Sequence, residues 1–195
     1  YAQTRDAAIQ LQLNDAGVSF HTYKDQVIFE KDEVLKDDGK PYTVFTPYSR
    51  KWKAKLNDFY LKSYPVEEYA TNFFKQSPAA IPSLKEMGFE AVGLLFPSAE
   101  TRKEIIKKYK EQRDFPAIDG TSRLSVHLRF GTISIRELAR EAQGLSEGFL
   151  NELIWRDFYH MILWHFPKVG EGKSFKKEYE FIEWRHDEND FQKWC

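Results

Sequence analysis

The residues best suited to chemistry lie on one face of a predicted helix. Residues 146–165 repeat apolar side chains at helical spacing, and the opposite face carries Glu152, Trp155, Arg156 and Tyr159. A solvated face normally carries lysine, glutamate and glutamine rather than two large rings. The rings could stack on a planar base, and Glu152 could accept hydrogen bonds from its N–H groups. Arg156 could neutralise a phosphate.

The same pattern also has a purely structural interpretation. A helix buried on both sides would carry rings on its second face, with Glu152 and Arg156 as an i, i+4 ion pair. The sequence leaves both interpretations open. In either case the apolar stripe predicts a core that is formed by Leu150, Leu153, Ile154, Phe158, Met161, Ile162 and His165.

A second candidate site is the loop Asp119-Gly-Thr-Ser-Arg-Leu-Ser125. Gly120 frees the backbone, and three hydroxyl groups follow at a predicted helix N-terminus, those of Thr121, Ser122 and Ser125. Unpaired N–H groups there favour an anion such as a pyrophosphate. A plain helix cap is the alternative, because serine and threonine are ordinary N-cap residues.

Other familiar sites are not supported by the sequence. It contains neither G-x-G-x-x-G nor G-x-x-x-x-G-K-[ST], which disfavours a Rossmann or P-loop nucleotide site. No G-x-S-x-G elbow is present, and the five histidines are scattered, so we expect no metal. The single cysteine, Cys195, excludes an internal disulfide and favours a reducing, cytoplasmic location.

The elements that must position these residues are mostly helical. Predicted helices cover residues 4–14, 49–60, 99–113, 134–143, 146–165 and 187–195. Ser134 and Glu137 form a capping-box pattern. Alternating residues predict short strands at 18–23 and 27–29. Four prolines between 62 and 98 indicate an extended linker with a short helix or two.

Composition limits the class of protein further. The 195 residues are 42% hydrophobic and 30% charged, which excludes disordered and coiled-coil classes. No apolar run approaches the roughly 20 residues that span a bilayer, so we expect no membrane association. The net charge of -1 argues against a generic polyanion binder, although residues 101–129 hold eight basic and four acidic side chains.

Taken in order, the motifs resemble the DNA photolyase/cryptochrome family, and within it the bacterial cyclobutane-dimer photolyases. The matching stretches are Tyr42–Trp52, Glu111–Pro116, Gly120–Ser125, Leu128–Ser134 and Leu150–Tyr159. Each motif is modest alone, but together they keep the family's order and spacing over nearly the whole chain. The resemblance implies a mainly α fold that follows an α/β, Rossmann-like antenna domain.

The resemblance also divides the chain into three parts. Residues 1–46 would be the C-terminal end of the antenna domain, 47–98 an interdomain linker, and 99–195 the first half of an all-helical FAD-binding domain. The chain would then be an internal piece of a longer enzyme. We expect it to hold FAD poorly and to be inactive by itself.

Site residues follow from the same resemblance. FAD would contact Phe149, where relatives often have tryptophan, and six further residues: Tyr109, Thr121, Ser122, Arg123, Leu124 and Ser125. Glu152 and Trp155 would line the cavity for the extruded dimer and act in catalysis. Damaged DNA would also be contacted by Arg113, Arg156 and Tyr159.

The implied activity is light-driven repair of damaged DNA. Excited reduced FAD would donate an electron that splits a cyclobutane pyrimidine dimer and then returns. The resemblance further implies a second antenna chromophore, whose identity the sequence leaves open, and implies no protein partner. Two alternatives remain: a cryptochrome-type blue-light photoreceptor, and a non-enzymatic helical DNA-binding module that uses residues 102–113.

Overall fold

The structure is a computed structural model that describes residues 2–195, and its regular elements in that range are all helical. The prediction of a mainly α fold is confirmed. The α-helices are α1 Ala2–Asp15, α2 Phe45–Lys55, α3 Asp58–Leu61, α4 Lys103–Lys107, α5 Tyr109–Gln112, α6 Ser125–Phe130, α7 Ile135–Leu145, α8 Glu147–His165 and α9 Glu188–Trp194. Short 3₁₀ helices cover Val66–Asn72, Pro167–Glu171 and Lys177–Tyr179.

Helix α8 is the centre of the fold. It packs against α2, α5 and α7, and the predicted apolar stripe is buried apart from the partly exposed His165. Ile154 is fully inaccessible and Met161 nearly so. Burial of this stripe supplies the main apolar driving force that holds the neighbouring helices in place.

Polar residues begin the three C-terminal α-helices. Ser134 Oγ accepts a hydrogen bond from the Glu137 backbone N–H at the start of α7, as the capping-box pattern predicts. Ser146 does the same for α8, and Asp187 for α9. The predicted starts of these helices are therefore correct to within a residue or two.

The two predicted strands are wrong. Residues 18–23 have no regular structure, and Val27, Ile28 and Phe29 are buried without forming a ladder. A strand needs a partner for its backbone groups, and no strand occurs among residues 2–195. The amides of residues 28 and 29 instead donate to a side chain of α8, which is described below.

Two predicted helices are each divided. The helix predicted over 49–60 begins earlier, at Phe45, because Pro47 is tolerated in a first turn, and it stops before the Asn57 cap of α3. The helix predicted over 99–113 breaks at Lys108, between α4 and α5. The break allows α4 to pack on α7 and α5 to pack on α8.

The region predicted as a linker, residues 62–98, has one 3₁₀ helix and otherwise irregular, mostly exposed backbone. Prolines along it remove backbone donors and oppose helix formation. Among the helices of residues 2–195, none has the length and apolar character required to cross a bilayer.

Candidate functional site

Four rings form what we name the aromatic face: Phe45, Trp155, Phe158 and Tyr159. The Phe45 and Trp155 rings are stacked with centroids 3.6 Å apart and planes only 6° from parallel. Tyr159 lies one turn along α8, 5.5 Å from Trp155 at 24°, and is 57% exposed. Phe158 belongs to the buried stripe and supports the other rings. The second face of α8 is therefore neither solvated nor fully buried, and its Trp155 and Tyr159 rings are ones that a base could stack upon.

Glu152 lies one turn before Trp155 and forms an ion pair with Arg113 of the segment that follows α5. Arg113 also lies over the Tyr109 ring, 5.5 Å from its centroid. The alternative i, i+4 pair with Arg156 is not formed. Arg113 thus connects two residues that the sequence assigned to different ligands, Glu152 for the substrate and Tyr109 for the cofactor.

Arg156 is held by backbone carbonyl groups. Its guanidinium donates to the carbonyl oxygen of Gln26 and, over 3.1 Å, to that of Leu128. These bonds join the N-terminal segment and α6 to α8. Burial lowers the pKa of Arg156, although the nearby Asp157 opposes this effect.

The second candidate site is an open cleft of about 550 Å³, which we name the hydroxyl cleft. Thr121, Ser122, Arg123, Leu124 and Ser125 line it. Tyr109 lines it from α5, and the remaining walls are Phe96, Pro97 and Val126. All six predicted cofactor residues other than Phe149 therefore lie around one cavity, with hydroxyl and guanidinium donors beside apolar walls.

The hydroxyl groups of this cleft do not cap α6. The N-cap residue is Leu124, and no side chain bonds to the helix start there. Ser122 Oγ instead accepts from the Leu124 amide at 3.4 Å, within the loop. The plain-cap interpretation is therefore wrong, and Thr121 and Ser125 line a cavity without capping the helix.

The loop is fixed by ion pairs and by a close backbone approach. Asp119 pairs with Arg102 at 2.6 Å and with Arg123 at 3.2 Å, and Arg102 lowers the pKa of Asp119. A Cβ atom placed on Gly120 would lie 2.6 Å from the Cβ of Gln112. Only glycine allows the loop to pass α5 at this distance.

Phe149 lies behind the cleft rather than in its wall. Its buried ring meets the Tyr109 ring edge to face, with centroids 5.1 Å apart. His127 supports the part of the wall that Pro97 forms, since its Nε2 donates to the Pro97 carbonyl at 2.8 Å and its Nδ1 contacts Thr132 Oγ1 at 2.7 Å. The sequence interpretation did not single out His127.

Asp157 is the principal residue that the sequence interpretation missed. It is completely buried, and its Oδ2 accepts hydrogen bonds from Trp52 Nε1 at 2.9 Å and from the amides of Phe29 and Ile28 at 3.1 and 3.2 Å. Desolvation raises its pKa to about 6, although these donors oppose the shift. The signal in the sequence that could have identified it is a carboxylate within the apolar stripe, between Ile154 and Met161.

Among residues 2–195, no group of three histidine, cysteine, aspartate or glutamate side chains is arranged to hold a metal ion. The candidate sites described above are the aromatic face, the Arg113–Glu152 pair and the hydroxyl cleft.

Comparisons with known proteins match both ends of the chain to one kind of enzyme. Residues 1–69 match the family described as DNA photolyase, and residues 149–195 match the FAD binding domain of DNA photolyase. The chain is 33% identical to the deoxyribodipyrimidine photo-lyase of Alkalihalophilus pseudofirmus over 97% of its own length and 43% of that relative. It is 31% identical to the enzyme of that name from Halobacterium salinarum, over 99% and 45% of the two chains.

The chain belongs to the DNA photolyase family. The resemblance seen in the sequence motifs is confirmed, and the photoreceptor alternative is not favoured, because the matched relatives carry the name of the repair enzyme. The chain spans a little under half the length of these relatives.

Proposed function

We propose that a protein containing this chain repairs cyclobutane pyrimidine dimers in DNA with light, using FAD. The observation that carries the proposal is the pair of family matches, one at each end of the chain, with Glu152 and Trp155 inside the FAD-domain match. The second antenna chromophore and the cytoplasmic location are part of the proposal on the family resemblance alone.

The hydroxyl cleft fits part of a flavin dinucleotide. Thr121, Ser122 and Ser125 offer hydroxyl donors to phosphate oxygens, and the exposed guanidinium of Arg123, although paired with Asp119, attracts the negative charge of the phosphates. Tyr109 would contact the cofactor along the opposite wall, supported by the Phe149 ring, and Leu124 would contact its apolar part. When bound, reduced FAD supplies the photoexcited electron that opens the cyclobutane ring.

The aromatic face would receive the extruded dimer. Trp155 stacks on the pyrimidine, and Glu152 accepts hydrogen bonds from its N–H groups or shares a proton with it. Arg113 and Tyr159 contact the surrounding DNA. Because Arg113 is paired with Glu152 in the free protein, contact with a phosphate would release the carboxylate for the base. Arg156 contributes positive charge nearby while its donors hold backbone carbonyls.

The test is light-dependent loss of thymine dimers from an irradiated oligonucleotide, measured by chromatography, with the flavin-loaded protein and a dark control. We expect Trp155→Ala to weaken binding of the damaged duplex by about 5- to 150-fold. Trp164→Ala, on the same helix but outside the aromatic face, is the matched control and should bind normally. Absence of repair with bound, photoreducible flavin would reject the proposal.

A further inference from the structure

The aromatic face offers less ring surface than its four members suggest. Phe45 covers one face of the Trp155 indole, since the rings are stacked at 3.6 Å and 6°. Phe158 meets both rings edge-on, 5.9 Å from Phe45 and 5.6 Å from Trp155. The Tyr159 ring also lies beside the indole, 5.5 Å away at 24°. An incoming base therefore has access only to the part of the Trp155 indole that neither ring covers and that remains exposed.

Phe45 is held firmly by its own helix. Tyr48 and Trp52 lie on the same face of α2 at i+3 and i+7, and both are buried against the core. Trp52 Nε1 donates to Asp157, which follows Trp155 by two residues on α8. Both stacked rings are therefore held in place relative to α8. Trp155 is part of that helix, and Phe45 is connected to it through the hydrogen bond between Trp52 and Asp157.

We propose that Phe45 is a positioning residue that sets damage specificity. It fixes the plane of the Trp155 indole and excludes a base from the face that it covers, so that the cost of ordering the indole ring is already met in the free protein. The inference rests on the proposed function, because it assigns the same face to an extruded pyrimidine dimer. Phe45 itself need not touch the substrate.

The experiment compares Phe45→Leu and Phe45→Met, which keep most of the volume without a ring, with Phe45→Tyr, which keeps the ring. For each flavin-loaded protein, dissociation constants are measured for a duplex with one thymine dimer and for the identical undamaged duplex. We expect the ratio of the two constants to fall about two- to tenfold in both non-aromatic variants. Phe45→Tyr should retain the wild-type ratio.

Several outcomes would overturn the proposal. If the wild type discriminates and both non-aromatic variants discriminate equally well, the stack does not set specificity. If both variants release flavin, melt at a lower temperature and bind the two duplexes equally more weakly, Phe45 has a structural role only. If the wild type itself does not prefer the damaged duplex, the proposed function fails before the role of Phe45 is reached.

Discussion

The aromatic face and the hydroxyl cleft are built in different ways. The aromatic face is supported from within, because Asp157 and Trp52 are inaccessible to solvent and are bonded to each other. The loop of the hydroxyl cleft is tied mainly by exposed ion pairs around Asp119. A surface for stacking needs a fixed plane, whereas a site for a flexible dinucleotide can close around its ligand. The two regions should therefore respond differently to substitution.

The largest effect is expected from Asp157→Ala. Three donors, Trp52 Nε1 and the amides of Ile28 and Phe29, would lose their buried acceptor. We expect the free energy of unfolding to fall by about 3 kcal/mol or more. Chemical denaturation measures this loss. Asp58→Ala removes an exposed carboxylate on α3 and serves as the control. A loss no larger than that of the control would show that the aromatic face is not supported by Asp157.

The protonation of Asp157 predicts a dependence on pH. Its pKa is about 6 in the folded protein, against the ordinary value of 3.8 for an aspartate in water. The folded state therefore binds the proton more tightly than the unfolded chain does. The stability that this tighter binding adds is fully present below about pH 4 and is lost as the pH rises through 6. The stability of the wild type relative to Asp157→Asn should rise by up to about 3 kcal/mol between pH 7 and pH 4.

The pH comparison uses unfolding curves of both proteins at matched pH values, which cancels the titration of the exposed carboxylates. A difference between the two proteins that stays constant from pH 4 to pH 7 would contradict the raised pKa. Such a result would mean that the pKa of Asp157 is the same in the folded protein as in the unfolded chain.

Gly120→Ala tests the cleft through its closest contact. The new Cβ would lie 2.6 Å from Gln112 Cβ, so the loop must shift, at a cost of about 1–3 kcal/mol. Gly144→Ala in α7, where the added Cβ meets no atom within 4 Å beyond the backbone of its own helix and its chain neighbours, should be neutral or slightly stabilising. In a flavin-loaded protein that contains this chain, we expect flavin retention, measured by absorbance after gel filtration, to fall only for Gly120→Ala. Equal flavin retention in both variants would show that the loop at Gly120 does not contribute to cofactor binding.

The smallest change in stability is expected from Asp119→Asn. Its partners Arg102 and Arg123 are exposed, and surface ion pairs contribute little. The melting temperature should not change measurably, because solvent screens both pairs. A drop comparable with that of Asp157→Ala would mean that the cleft is as internally supported as the aromatic face.

The sequence predicted the parts of the structure that depend on local pattern. The apolar stripe of α8, the caps at Ser134 and Ser146, and the grouping of Thr121 to Ser125 all follow from spacing and residue type. The strands at 18–23 and 27–29 could not be predicted correctly. Alternating apolar and polar residues favour a strand, but a strand forms only where its backbone pairs with another strand. Whether such a partner is present depends on the tertiary structure.

The sequence by itself determined the family, the mainly α architecture and the residue types at both candidate sites. Tertiary structure alone decided that Glu152 pairs with Arg113, that Arg156 holds backbone carbonyls, and that Phe45 covers Trp155. The physical reason is that these contacts join residues far apart in the chain. Their geometry follows from how α2, α5 and α6 pack around α8, with the buried carboxylate of Asp157 as a shared acceptor.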